Sequence, residues 1–277
     1  LGDRAAAGEV LAQATALHPQ NAELRYMLME HRLKCRDYGG GFDLFEARWG
    51  TRLAGTGVRL PTDRRWDGTP FTGRLLVRAE QGIGDELLYS SLFTDLLARH
   101  ADTLIDCDPR LLPLFSRSFP AATFIARTTP EDDPRRSGYA RQCIAGDLCR
   151  WLRRSEADFP TRAGWLQPDP QRRDALRAQY RERHGNALRV GLSWRSKRPV
   201  DGDAKSLALE QLLQLLQLPG VVFFNLQYGD VAADIAALRA AHGIEVQVEP
   251  TVDPTDDLDG LAAQVAALDL VVSTSNS

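Results

Sequence analysis

The chain of 277 residues is 43% hydrophobic and 26% charged with a formal net charge of −3, so it is long enough for two domains and gives no support to nucleic-acid binding. No apolar run approaches the roughly 20 residues of a membrane span, and the start lacks the basic-then-apolar order of a secretory signal. Four scattered cysteines, none in a C-x-x-C pair, argue against a zinc or dithiol motif and favour a cytoplasmic location.

Residues 1–58 are predicted to form a helical segment followed by a linker. An alanine-rich run over residues 5–17 and the helical spacing of Leu24, Met27 and Leu28 predict two helices, and "FDLFEARW" after three glycines predicts another. Residues 53–73 are rich in Gly, Pro and Thr, which is typical of a connector that crosses a surface.

Residues 59–170 are predicted to form a Rossmann-like domain. The stretches "RLLVRAE", "DTLIDCD" and "ATFIAR" have the length and composition of strands, and the segments between them have helical patterns, the first over residues 85–100. This alternation predicts a parallel sheet with right-handed crossovers. Residues 130–170, rich in Pro, Asp and Arg, are predicted to hold active-site loops and one helix near residues 145–152.

Residues 171–277 repeat the alternation, with "LRVGLSW", "VVFFNLQ", "IEVQVE" and "LVVSTSNS" as strands. The predicted fold class is therefore α/β, with two doubly wound domains after the helical segment. Open parallel sheets bind ligands at the carboxyl ends of their strands, so we expect the chemistry in strand-to-helix loops facing a shared cleft. Because the chain starts with Leu and ends after a strand-like stretch, we expect a fragment with an incomplete C-terminal domain.

The stretch "QGIGDE" follows the first predicted strand and raises the question of a phosphate site. Gly82 and Gly84 let the backbone approach a ligand, and the start of a helix favours an anion. A dinucleotide site needs G-x-G-x-x-G, but Leu87 takes the place of the third glycine, and Asp85 and Glu86 would repel a pyrophosphate. From the residues alone, Asp85 is either a helix N-cap or a catalytic carboxylate.

A family resemblance extends over nearly the whole chain. It is carried by "FDLFEARW", "RWDGTPFTGRLLV", "AEQGIGDELLYSSL", "GLSWRS", "KSLALEQL", "FFNLQYGD" and "LDLVVSTSNS". The chain resembles a bacterial group in which tetratricopeptide-like (TPR) repeats precede a glycosyltransferase domain related to the heptosyltransferases. The resemblance implies the GT-B fold, in which the first Rossmann-like domain binds the acceptor and the second binds the nucleotide-sugar donor. It also implies that no metal ion and no resident cofactor is needed.

In the first domain, the resemblance implies one catalytic residue. Asp85 matches the acidic residue that heptosyltransferases place after their glycine pair and use as the base that activates the acceptor hydroxyl. Gly82 and Gly84 then shape the turn that presents this carboxylate. A carboxylate at a helix start is stabilised as the anion, which makes it a weak base, yet a proton accepted late in bond formation needs no more.

The resemblance implies that the donor phosphates are bound by the loop after the first strand of the second domain. Ser193 and Arg195 lie in this loop, and Lys205 matches the lysine that neutralises the donor phosphates in the family. An ammonium group beside a diphosphate stabilises the charge that grows as the bond to the sugar breaks. Arg195, Lys197 and Arg198 are the alternates to Lys205.

The remaining donor residues follow the next strands of the second domain. Gln227, Tyr228 and Asp230 match the place where the nucleoside is held, and Asp230 is equally suited to cap a helix. The final loop matches the one that wraps the donor phosphates, but it has Ser and Asn where heptosyltransferases usually have Asp. Its predicted donor-binding residues are Ser273, Ser275 and Asn276.

The predicted function is inverting, metal-independent transfer of a sugar from a nucleotide-sugar donor to an acceptor hydroxyl. The expected partners are the donor, a glycan or protein acceptor, and a protein bound through the helical segment, with no nucleic acid and no membrane span. The alternative is a non-catalytic protein-binding scaffold with a degenerate glycosyltransferase domain. A nucleotide-sugar epimerase of the same architecture is a third hypothesis.

Overall fold

A computed structural model describes residues 3–51, 64–196, 202 and 205–274. The chain forms two units: the first comprises Leu1–Leu112 and Phe119–Trp165, and the second comprises Pro113–Ser118 and Leu166–Ser277. The first unit thus includes the N-terminal helical segment, and the division after Trp165 lies close to the boundary predicted at residue 170.

Helices and strands alternate in both units after the N-terminal helices. The helices are α1 (Arg4–Leu17), α2 (Ala22–Lys34), α3 (Tyr38–Asp43), α4 (Ile83–Ser90), α5 (Phe93–Arg99), α6 (Leu112–Ser118), α7 (Cys149–Leu152), α8 (Pro170–His184), α9 (Leu213–Leu216), α10 (Ala232–His242) and α11 (Leu258–Ala267). The strands are β1 (Arg74–Arg78), β2 (Thr103–Cys107), β3 (Thr123–Ala126), β4 (Tyr139–Ile144), β5 (Leu188–Ser193), β6 (Val221–Asn225), β7 (Val246–Gln247) and β8 (Leu270–Ser273).

The N-terminal segment is helical, as its sequence predicts. Its helices begin where Asp3, Asn21 and Asp37 accept hydrogen bonds from backbone N–H groups of the first turn. Helix α2 packs against α1, α3 and a short 3₁₀ helix at Phe45–Gly50. This 3₁₀ helix carries the "FEARW" stretch toward the sheet of the first unit.

The sheet of the first unit is parallel, with the strand order β3-β2-β1-β4. Leu75, Leu76 and Val77 of β1 have no exposed surface, as expected for the central strand of a covered parallel sheet. The chain moves outward from β1 to β3 and then returns to β4 on the other side of β1. The topological switch point therefore lies between the carboxyl ends of β1 and β4.

The structure corrects two predictions for the first unit. Strand β4 lies in the 130–170 region where only loops and a helix were predicted, because "YARQCI" lacks the continuous apolar run of the other strands. The predicted helix over residues 85–100 is two helices, α4 and α5. The hydroxyls of Ser90 and Ser91 donate to the carbonyls of Leu87 and Leu88, a local bond that competes with continuation of the helix.

The sheet of the second unit repeats the same topology, with the order β7-β6-β5-β8 and all pairs parallel. Both faces are covered: Phe223 packs into a core with Leu238 of α10, and Phe224 packs on the other face against Tyr180 of α8, with ring centroids 4.3 Å apart. The switch point lies between β5 and β8. Within the described ranges, no helix is both long enough and apolar enough to cross a lipid bilayer.

Substitution of Gly191 tests the close packing around β5. A methyl group at this position would collide with the side chains of Leu226 and Leu268. We expect Gly191→Ala to lower the free energy of unfolding by about 1–3 kcal/mol, because packed leucines have to shift. Gly164→Ala is the control, since nothing lies within 4 Å of its added methyl. Urea denaturation measures both variants, and equal stabilities would contradict this description of β5.

Candidate functional site

The turn between β1 and α4 has an unusual backbone conformation. Gln81 has a φ of +57°, in the left-handed region, whereas Gly82 has a φ of −102° and a ψ of 175°, which any residue adopts. A non-glycine residue with positive φ costs of the order of 1–3 kcal/mol and persists only when surrounding contacts hold it. The residue with the left-handed conformation in this turn is Gln81 and not a glycine. The role of Gly82 and Gly84 in shaping the turn therefore stays a prediction.

Glu80, at the start of this turn, is a buried carboxylate with several partners. Its side chain accepts two hydrogen bonds from Arg48, each at 3.0 Å, and one from the backbone N–H of Gly146 at 2.7 Å. It is 1% exposed and lies between the carboxyl ends of β1 and β4. Glu80 therefore serves the structure of the turn.

Glu86, at the other end of the stretch, is also buried and bonded. Its Oε2 accepts from the backbone N–H of Asp108 at 2.7 Å, and its Oε1 accepts from Arg127 Nη1 at 2.7 Å. Burial raises the pKa of Glu86, and the hydrogen bonds from Asp108 and Arg127 offset only part of this effect. Glu86 joins α4 to the ends of β2 and β3.

Asp85 differs from both of these carboxylates. It is half-buried, and within the described part of the chain its recorded hydrogen bond is the one that its Oδ2 accepts from the N–H of Gly82, at 3.2 Å. The helix begins at Ile83 with Gly82 as its N-cap, so Asp85 is the third residue of α4 and not the N-cap. Of the carboxylates in "EQGIGDE", Asp85 is the one without an arginine partner among the described residues.

The switch point of the first unit is occupied by the chain's own residues. Arg48 also donates to Asp147 at 2.9 Å, and Asp147 accepts in addition from Arg65 at 3.1 Å. A side chain at Gly146 would collide with Glu80. Buried ion pairs of Arg48 with Glu80 and Asp147 therefore lie at this switch point.

The switch point of the second unit is lined by small hydroxyl side chains. Ser193, the last residue of β5, is paired in register with Ser273, the last residue of β8. The N–H of Thr274 donates to the carbonyl of Ser193 at 2.9 Å, so the chain after β8 stays beside the end of β5. Ser275 and Asn276, which were predicted to bind the donor, lie outside the described residues.

Gln227 holds the loop after β5 in place. Its amide oxygen accepts from the Ser193 hydroxyl at 3.2 Å and from the backbone N–H groups of Trp194 and Arg195 at 2.9 and 2.7 Å. Gln227 is 1% exposed. The structure thus brings Gln227, Ser193 and Arg195 together, as the prediction of one site requires, and gives Gln227 a supporting position beneath the loop.

Arg195 reaches from this loop to α10. Its Nη2 lies 2.9 Å from Asp234 and donates to the carbonyl of Asp230 at 3.1 Å. The Asp230 carboxylate accepts from the N–H of Ala232, the first residue of α10, but the N-cap of this helix is Val231, so Asp230 is not the N-cap that the sequence suggests. Tyr228, between Gln227 and Asp230, is half-buried.

Lys205 lies before the 3₁₀ helix at Leu209–Leu212, with its N–H donating to the carbonyl of Gly202 at 3.1 Å. The hydroxyl of Ser206 accepts from the N–H of Ser196 at 3.0 Å and donates to Gly202 at 2.7 Å. These bonds bring the two ends of the loop after β5 together and place Lys205 in the segment beside Arg195. The alternates Lys197 and Arg198 lie outside the described residues.

A cavity of about 520 Å³ opens at the carboxyl ends of β6 and β7. Its volume is in the range of small-molecule sites. None of its lining residues, all of them described, is basic; they include Asn225, Gln227, Asp230, Glu249 and Asp253. In the described part of the chain, no group of three or more His, Cys, Asp or Glu side chains could hold a metal ion.

Comparison with known proteins gives one curated relative and two solved structures. Protein FlbA of Caulobacter vibrioides is 34% identical over 254 residues, which cover 86% of this chain and 42% of FlbA. The chain therefore spans less than half the length of FlbA. No family model matches the chain.

The solved structures concern glycosyltransferases. Escherichia coli ADP-heptose LPS heptosyltransferase II has a TM-score of 0.50 at 16% identity, over 73% of this chain and 79% of that one. The glycosyl transferase family 9 protein of Veillonella parvula has a TM-score of 0.48 at 12% identity, over 73% of this chain and 75% of that one. The likeness to the first confirms the predicted fold class, an α/β fold with two parallel sheets as in the heptosyltransferases.

Sequence reasoning missed the residues that support the turn before α4. Arg48, Gly146 and Arg127 are distant from the turn in sequence, and no motif spacing links them to Glu80 or Glu86. A weak signal existed in "FEARW" and "EQGIGDE", because both stretches carry the family resemblance. The contact between Arg48 and Glu80 now joins these stretches physically.

The raised pKa of Glu86 predicts a pH dependence of stability. Because its pKa is above the ordinary 4.5 in the folded protein, the folded state binds this proton more tightly than the unfolded state. The resulting stabilisation is present at low pH and is lost as the pH rises through the folded pKa. Glu86→Gln has no such proton, so the stability advantage of the wild type over this variant should shrink as the pH rises from about 4.5 through the folded pKa.

Urea denaturation at several pH values measures this difference, with Glu9→Gln in α1 as the exposed control. An advantage of the wild type that grows with pH would mean that the ion pair with Arg127 outweighs the burial of Glu86.

Proposed function

We propose that the chain is a glycosyltransferase of the inverting, metal-independent kind, which transfers a sugar from a nucleoside-diphosphate donor to the hydroxyl of a glycan or protein acceptor. The fold shared with the E. coli ADP-heptose LPS heptosyltransferase supports this class of reaction and of donor. Hexosyl- or heptosyl-type transfer is the activity that we expect.

The observation that carries the proposal is the exposure and hydrogen bonding of the Asp85 carboxylate. The turn "EQGIGDE" holds three carboxylates, of which Glu80 and Glu86 are buried and bonded to arginines, while Asp85 is partly exposed and lacks such a partner among the described residues. A general base needs an acceptor oxygen that a substrate hydroxyl can reach. Asp85 is the carboxylate in this turn that meets that requirement.

The donor is proposed to bind the second unit. Ser193 and Ser273 meet at its switch point, the position where open parallel sheets bind ligands. Arg195 and Lys205, in the loop after β5, supply positive charge, with Ser275 and Asn276 as further proposed ligands. The cavity beside Gln227, Tyr228 and Asp230 has no basic lining residue, so it suits the base and ribose of the nucleotide.

In the proposed reaction, Asp85 accepts the proton of the acceptor hydroxyl as its oxygen attacks the anomeric carbon. The new bond forms on the face opposite the leaving group, so the configuration at this carbon inverts. The bond from the anomeric carbon to the diphosphate oxygen breaks, and the nucleoside diphosphate leaves with the electron pair. Lys205 and Arg195 stabilise the negative charge that develops on it.

The helical segment is proposed to be TPR-like and to bind a protein partner in a bacterial cytoplasm. The packing of α1 against α2, and of α2 against α3, supports this proposal, since TPR units consist of packed helix pairs.

Replacement of Asp85 by Asn separates the proposed role of this side chain as a base from its hydrogen bond with the N–H of Gly82. Asn keeps an oxygen that can accept from the N–H of Gly82 but cannot take the acceptor proton. We expect Asp85→Asn to retain the melting temperature and nucleotide binding and to lower kcat for transfer by about 10²- to 10⁴-fold. Asp85→Ala should lose activity to the same degree and also lose up to about 1 kcal/mol of stability with the capping bond.

The assay uses a panel of nucleotide sugars with the full chain and measures release of the nucleoside diphosphate. Transfer that survives Asp85→Asn at the wild-type rate would refute the proposed mechanism. Turnover of the donor without an acceptor, with no nucleotide released, would indicate an epimerase. Failure of every nucleotide to bind in calorimetry would favour the non-catalytic scaffold.

Donor binding tests the proposed role of Lys205. Loss of a charge-assisted hydrogen bond to a phosphate should weaken binding of a nucleoside diphosphate to Lys205→Met by about 1.5–3 kcal/mol. Lys34→Met in α2 is the matched control, because Lys34 pairs with Glu30 on the exposed face of a helix in the other unit. Calorimetry measures the Kd of each variant, and equal weakening in both would contradict a specific contact at Lys205.

A further inference from the structure

Arg48 enters the switch point of the first unit from the 3₁₀ helix Phe45–Gly50. Its Nε and Nη2 bind the two carboxylate oxygens of Glu80, Nη2 also donates to Asp147, and Nη1 donates to the carbonyl of Phe45 at 2.8 Å. The side chain is 5% exposed. Every nitrogen of this guanidinium group therefore has an acceptor inside the protein.

The geometry depends on the guanidinium group and not on charge alone. The planar fork of arginine matches both oxygens of a carboxylate, whereas a lysine ammonium acts as a point charge. Burial alone would lower the pKa of Arg48, but the carboxylates of Glu80 and Asp147 outweigh it and raise the pKa. Arg48 thus stays charged and fixes the position of Glu80.

The position of Glu80 determines the path of the turn. Glu80 directly precedes Gln81, the residue with positive φ, and also accepts from the N–H of Gly146. On the other side, the carbonyl of Gln81 accepts from Arg127 at 3.1 Å. The turn is therefore held at both ends by side chains from elsewhere in the first unit.

Asp85 depends on this turn because its recorded bond goes to the N–H of Gly82, the residue after Gln81. We propose that Arg48 is a positioning residue for Asp85, and that the N-terminal helical segment is consequently part of the acceptor-side site. The inference rests on the proposed function, in which Asp85 is the base. Catalysis would then require the helical segment even where no partner protein is bound.

A second arginine provides a matched control. Arg154 binds Asp43 of α3 through two nitrogens, so it also ties the helical segment to the rest of the first unit. This pair is solvent-exposed and does not contact the turn before α4. Arg48→Lys and Arg154→Lys are therefore the same chemical change. Arg48→Lys alters a contact with Glu80, whereas Arg154→Lys does not.

The experiment compares Arg48→Lys and Arg154→Lys in the full chain. For Arg48→Lys we expect kcat for transfer to fall roughly 10- to 100-fold, because a small displacement of the base is costly, while the KM for the donor stays within about two-fold. Hydrogen exchange of the backbone N–H groups at residues 81–86 should become faster. Arg154→Lys should change neither quantity.

A double-variant comparison shows whether Arg48 acts through Asp85. In the Asp85→Asn background, Arg48→Lys should cause no further loss of kcat, since the base is already absent. The same fractional loss with and without Asp85 would overturn the proposal, as would a wild-type kcat in Arg48→Lys. If Arg48→Lys does not fold, Gly146→Ala serves instead, because its methyl group displaces Glu80 without removing a charge.

Failure of the proposed function is distinguishable from failure of this inference. If the wild type transfers no sugar from any donor, the function is refuted on its own. Hydrogen exchange of the backbone N–H groups at residues 81–86 then still tests whether Arg48 positions the turn. Unchanged exchange in both Arg48→Lys and Gly146→Ala would overturn the inference.

Discussion

The first unit depends on the burial of charged carboxylates around one turn. Removing an ion from water costs several kcal/mol, so a buried carboxylate is tolerated only when its partners are close and well oriented. Glu80 and Glu86 are 1% and 3% exposed, and their partners come from before β1, from the ends of β2 and β3, and from after β4. Segments far apart in sequence are thereby fixed around the turn that leads to α4, since misplacing any one of them would leave a buried charge unpaired.

The two sheets have the same strand order but use their switch points differently. In the first, Glu80, Arg48 and Asp147 fill the position where an open parallel sheet usually binds its ligand. In the second, Ser193 and Ser273 end their strands at this position with small side chains, whose hydroxyls donate to Gln227 and to the carbonyl of Thr274. The same strand order thus places buried ion pairs at the switch point of one unit and a candidate ligand site at the switch point of the other.

Much of the fold could be predicted because parallel strands are encoded locally. "RLLVRAE" and "VVFFNLQ" are short apolar runs between turn signals. The alternation of such runs with helices is enough to predict parallel sheets. Strand β4 escaped prediction because an edge strand with Arg141 and Gln142 takes its stability from its neighbours and not from its own composition. The partners of Glu80 escaped for a related reason: a buried ion pair between distant residues leaves no periodicity to detect.

The hydrogen bond that Asp85 accepts at the start of α4 does not conflict with its proposed role as a base. A carboxylate has two oxygens with several acceptor positions, and the bond from Gly82 uses one of them at the long distance of 3.2 Å. Glu86 has both oxygens occupied by firm bonds, and Glu80 is enclosed by Arg48 and Gly146. The bond from Gly82 therefore orients Asp85 and leaves acceptor positions for the proposed role as a base, whereas both oxygens of Glu80 and of Glu86 are engaged.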